Sequence, residues 1–129
     1  MTSTMDTSQL GYLAENIAGR YLQSKGYEII DRNYRRPWGE IDIVARKDGV
    51  IVFIEVKANR RLFTSDFRPE VRVNPEKVRK IIKTAALYLK HDLGGKDCEW
   101  QVDVISITFD PSAQKAKLNH FKNVAADVS

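Results

Sequence analysis

Asp42, Glu55 and Lys57 fall within one short stretch, residues 39–57, with Glu40 beside them. Two carboxylates and an ammonium at such spacing suit phosphoryl chemistry. Hard oxygen ligands with open positions favour Mg²⁺ or Mn²⁺. A cation held by Asp42 and Glu55 lowers the pKa of a bound water and polarises a phosphoryl oxygen. Lys57, two residues after Glu55, can orient that water or neutralise charge developing on the phosphate. Left without a cation, two such carboxylates raise one another's pKa. Zinc is a poor match, because His91, His120 and Cys98 are few and scattered.

A hairpin must position these groups. Asp48-Gly49 separates two apolar runs, the signal for a two-residue type I′ turn. Lys47 then faces Val50, Asp42 faces Glu55 and Glu40 faces Lys57. Strand alternation puts the four charged residues on one face, which need not pack. Ile41, Ile43, Ala45, Val52, Ile54 and Val56 occupy the other face, which must pack on helices. A purely structural reading is also open. Glu40 and Lys57 would form a cross-strand salt bridge, with Asp42 and Glu55 merely solvated. A one-residue bulge would break the pairing.

Around the hairpin, helical periodicity predicts a first helix over 8–25, capped by Ser8 or Thr7. A strand follows over 27–34 and a turn over 35–39. Residues 59–73 read as an arginine-rich loop. Asn74, Pro75 and Glu76 open a second helix over 75–92. Strands over 100–109 and 117–124 complete the order α-β-β-β-α-β-β. The strand–helix–strand unit implies a parallel pair with a right-handed crossover. The expected fold is α/β, a mixed sheet of about four to five strands with helices on its faces. At 129 residues the chain fits one domain, 1–129, with residues 1–7 disordered and 125–129 a tail.

The net charge is +4, and the excess is local: residues 57–90 carry ten Lys/Arg against three acids. That surplus suits a polyanion, or else a solvated helix face. Arg60 and Arg61 interleave with Phe63 and Phe67 as a nucleic-acid clamp or a dimer contact. Arg35 lies in a basic turn flanked by Tyr34 and Trp38, which either stack on bases or cover the sheet edge. Asp103 reads as structural. A single cysteine excludes an internal disulfide. The polar start and short apolar runs give no signal peptide or membrane span, so a cytoplasmic protein without membrane contact is expected.

The Asp and Glu-x-Lys spacing resembles the core of PD-(D/E)XK nucleases. The wider match is to the YraN family of small bacterial proteins, whose fold is similar to archaeal Holliday-junction resolvases. Gly39-Glu40-Ile41-Asp42-Ile43-Val44-Ala45 and Phe53-Ile54-Glu55-Val56-Lys57 resemble its two signature blocks. Gly11-Tyr12-Leu13-Ala14-Glu15-Asn16-Ile17-Ala18, Asn33-Tyr34-Arg35 and Val102-Asp103-Val104-Ile105 resemble further motifs. The resemblance implies a restriction-endonuclease-like fold, with Asp42 and Glu55 as metal ligands and Lys57 as catalytic lysine. It also implies Glu15 as a further acid near the metal and Lys77 as a phosphate contact. By position on its helix alone, Glu15 would face solvent. Ala14, Asn59 and Gln101 depart from the family pattern and bear on the substrate-binding loop rather than the core.

The first reading is therefore a metal-dependent nuclease acting on DNA, with branched DNA among its candidate substrates and a homodimer expected by analogy. The second is a nucleic-acid-binding accessory protein with a nuclease-like fold and little or no activity. The third is a structural protein whose acids are simply solvated.

Overall fold

The computed structural model describes residues 6–61, 74–95, 97–112 and 114–127. Its elements are α1 (Thr7–Ser24), β1 (Glu28–Arg36), β2 (Gly39–Lys47), β3 (Val50–Arg60), α2 (Pro75–His91), β4 (Glu99–Asp110) and β5 (Lys115–Phe121). A short 3-10 turn, Val124–Asp127, follows. The five strands form one mixed sheet in the order β1-β2-β3-β4-β5. β3 and β4 are parallel, and the other neighbours are antiparallel. The α-β-β-β-α-β-β order and the mixed α/β architecture agree with the sequence.

Several boundaries move. Asp6 caps α1 in place of Ser8 or Thr7. Its carboxylate accepts the Gln9 N–H at 2.8 Å, and the Gln9 side chain accepts the Asp6 N–H at 3.0 Å. This capping box satisfies two orphan donors at once, so Asp6 and Thr7 begin the helix rather than a disordered lead-in. β3 runs on to Arg60, with Asn59 and Arg60 paired to Thr108 and Phe109. The rest of the expected basic loop, 62–73, lies outside the described residues, as do 1–5 and 128–129. Residues 125–127, expected as tail, belong to the 3-10 turn.

The hairpin forms through the expected turn. Asp48 and Gly49 take φ of 51° and 79°, the positive values a type I′ turn requires. Register runs from Lys47↔Val50 to Ile43↔Ile54 as the turn dictates. The expectation of one packed and one free face does not hold. Ala14, Ala18 and Leu22 of α1 cover Ile43, Ala45, Val52 and Ile54. Val78, Ile81, Ala85 and Tyr88 of α2 cover Val44 and Phe53 on the other side. The crossover helix needs an apolar seat, and the supposed free face supplies it. Ile41 joins the α2 side rather than Ile43 and Ala45, so strand alternation breaks around Asp42.

Candidate active site

Pairing between β2 and β3 stops at Ile43↔Ile54. The expected facing pairs Asp42–Glu55 and Glu40–Lys57 do not form. Instead the Asp42 Oδ2 accepts the Val56 N–H at 2.8 Å. A buried main-chain donor needs a partner, and here a side chain replaces the ladder carbonyl. β3 stays paired with β4 along its whole length while β2 turns away. Beside Asp42, Asn33 of β1 adopts a φ of 53°. Glu40 bonds Arg35 at 2.9 Å on the exposed surface, so the Glu40–Lys57 salt bridge is absent.

This splay opens a cleft of about 540 Å³ against α2. Asp42, Glu55 and Trp38 line it, and α2 contributes Lys77, Lys80 and Lys83. Glu55 is 8% exposed and forms an ion pair with Lys77. The start of α2 aims that lysine. Asn74 caps the helix, accepting from the Glu76 and Lys77 N–H groups at 3.1 and 3.4 Å, and Pro75 sets the first turn. The hydrogen bond to Glu55 pushes the Lys77 pKa up; burial opposes it, and the charges of Glu55, Asp42 and Glu40 add to the rise.

Asp42 is the perturbed acid. Burial pushes its pKa up to about 6, with the charges of Glu15 and Glu55 adding to the rise. The Val56 N–H and Lys77 pull the other way. Glu15 therefore stands near enough for its charge to reach Asp42. The Asn33 amide, with its nitrogen toward Glu15, donates to both carboxylate oxygens at 3.0 and 3.2 Å.

The fold thus gathers Glu15, Asp42, Glu55 and Lys77. Lys57 is half-buried opposite Ser106 of β4, and it is not among the residues lining the cleft. Arg35 is engaged by Glu40 on the sheet's exposed edge. Arg60 ends β3, and the Arg61 N–H donates to the Phe109 carbonyl at 2.8 Å. Among the described residues, no group of three or more His, Cys, Asp and Glu is assembled as a metal site. Two carboxylates still suit Mg²⁺ or Mn²⁺, which keep several waters and share ligation with substrate phosphates. The raised pKa of Asp42 reports first its burial and then the charges of Glu15 and Glu55, and a bound cation would offset both.

Sequence reasoning missed the Lys77–Glu55 ion pair and the cleft roles of Lys80, Lys83 and Trp38. Spacing by three on a capped helix was the available signal for the lysines. It also missed Thr84, whose hydroxyl donates to the Lys80 carbonyl at 2.9 Å and to the Trp38 carbonyl at 3.5 Å.

A second polar cluster lies within the sheet. Asp103 is fully buried. Its Oδ1 accepts from Gln101 Nε2 at 2.8 Å and the Asn123 N–H at 2.9 Å. Its Oδ2 lies 2.7 Å from His120 Nε2, and His120 Nδ1 lies 2.9 Å from the Tyr21 hydroxyl. The network ties α1 to β4 and β5, in keeping with the structural reading of Asp103.

Comparison with known proteins bears out the family resemblance read from the opening helix and the hairpin. The family model described as "Uncharacterised protein family UPF0102" matches residues 14–107. A UPF0102 protein from Fervidobacterium nodosum is 38% identical over 116 residues, 89% of this chain and 80% of the relative. One from Campylobacter fetus is 39% identical over 116 residues, covering 89% and 92%. One from Chlorobium phaeobacteroides is 46% identical over 102 residues, covering 79% and 78%.

Proposed function

This chain belongs to the protein family UPF0102, and we propose that it is a cytoplasmic metal-dependent nuclease that hydrolyses phosphodiester bonds in DNA. One observation carries the reading. Asp42 leaves the hairpin ladder to sit beside Glu55, at a cleft whose helix wall presents three lysines. A fold held only for stability has no need to open the ladder there.

Lys77, Lys80 and Lys83 bind the backbone, and Arg60 and Arg61 extend the basic surface beyond the strand end. Asp42 and Glu55 are the residues that would hold Mg²⁺ or Mn²⁺. When bound, that cation activates water and polarises a phosphoryl oxygen. Lys57 shares a face of β3 with Glu55 and neutralises charge developing on the phosphate. Asn33 fixes Glu15, which holds water near Asp42 and keeps the region electronegative. Lys77 releases Glu55 as it turns toward the entering phosphate. Branched DNA, cut by paired copies of the chain, is the finer form of this reading.

The accessory-protein reading keeps one observation in its favour: Lys77 already neutralises Glu55 without a metal. A nuclease panel separates the two. Single-stranded, duplex and branched DNA are incubated with Mg²⁺ or Mn²⁺ and wild type, Glu55→Ala or Lys57→Ala. The nuclease reading expects cleavage by wild type and a loss on the order of 10²–10³-fold in each folded variant. Binding that survives both substitutions, with no cleavage by any form, assigns the accessory role instead.

A further inference from the structure

We infer that Trp38 is a stacking platform for an unpaired nucleobase, so that a strand whose phosphates lie along Lys77, Lys80 and Lys83 sets one base against the indole. The inference rests on the preceding reading only for the choice of nucleic acid as ligand.

Among the described residues, the large hydrophobic side chains left exposed are Tyr12 and Trp38, at 66% and 43%. Of the two, only Trp38 lines the cleft. Its exposure and its place on the cleft favour the stacking role over the competing one, covering the sheet edge. It is nonetheless held. Its ring packs on His91 at 5.7 Å between centroids and a 34° tilt. Its carbonyl accepts from Thr84 on α2. The next residue, Gly39, has a φ of 152°, and a Cβ there would collide with the Thr84 hydroxyl. Any other residue would push the turn off the helix. The indole is therefore fixed to the same helix that carries the lysines, and little ordering is left for binding to impose.

The three lysines recur on successive turns, about 4.5 Å apart along the helix axis. A positive track beside an aromatic face is the combination that binds single strands. In a duplex both faces of each base are covered by neighbours, so an unpaired or terminal nucleotide is what the indole can receive. The platform thus selects DNA with a single-stranded segment beside the carboxylates: a flap, a gap or an open junction.

The test is binding in EDTA at low salt, where no cleavage interferes. Labelled single-stranded oligonucleotide and blunt duplex of the same sequence are titrated with wild type, Trp38→Ala and Trp38→Phe, followed by anisotropy. Trp38→Ala should weaken single-strand binding about 5- to 100-fold and leave duplex binding within about twofold. Trp38→Phe should keep most of the affinity. In a Trp100→Phe protein, Trp38 is the remaining tryptophan, and its emission should be quenched by single strand. Equal losses on both substrates, no loss, or unchanged emission overturns the platform while leaving the nuclease reading standing. Wild type that binds neither DNA overturns both.

Discussion

Asp42 on β2 and Asp103 on β4, the strands that flank β3 at the centre of the sheet, live under opposite conditions. Asp103 is sealed, with hydrogen-bonding partners at both oxygens drawn from Gln101, Asn123 and His120. Asp42 has one main-chain donor, stands near two other carboxylates, and has its pKa pushed up to about 6. Both are withdrawn from water, and what differs is how many partners offset that withdrawal. A carboxylate whose lone pairs are matched is a structural tie. One left with surplus charge at a cleft is poised for a cation or a proton.

That contrast can be broken by substitution. Asp103→Ala removes an acceptor from three partners at once and should cost about 3–5 kcal/mol of stability, measured by urea unfolding. A loss below about 1 kcal/mol would mean the network is not what joins α1 to β4 and β5. Asp42→Asn should act in the opposite direction. The folded pKa of Asp42 is raised above its unfolded value, so its favourable contribution is whole below about pH 4 and is lost as pH rises through about 6. A shift of this size corresponds to at most about 3 kcal/mol. Asn keeps an acceptor for the Val56 N–H. The variant should therefore gain on wild type by about 1–3 kcal/mol between pH 4 and pH 8, read from unfolding curves at both. A difference independent of pH contradicts the frustrated-acid description. Tyr21→Phe trims one hydrogen bond from the satisfied cluster and should cost about 0.5–1.5 kcal/mol, with cleavage unchanged.

Much of this was legible in the chain. Asp48-Gly49 set the hairpin register through Ile43↔Ile54, because a type I′ turn leaves no freedom in pairing. Asn74-Pro75 marked the start of α2 to the residue. The splay at Asp42 was not legible. Alternation assumes an unbroken ladder, and here a side chain takes a main-chain bond. Nor could alternation say that α2 would cover Val44 and Phe53, since that follows from the crossover and not from the strand. Asn33 against Glu15 and His120 against Asp103 join residues 18 and 17 apart across separate elements. No local period encodes such pairs. The site's residue types were in plain view, while their geometry depended on the tertiary fold.

The most direct measurement is the titration of the Asp42 side-chain carboxyl by carbon-13 NMR, with and without Mg²⁺. Without the cation the carboxyl should titrate near pH 6. With Mg²⁺ its midpoint should fall well below that, because ligation requires the deprotonated form, and Glu55→Gln should remove most of the fall. An Asp42 that titrates in the ordinary carboxylate range and ignores Mg²⁺ would contradict the account.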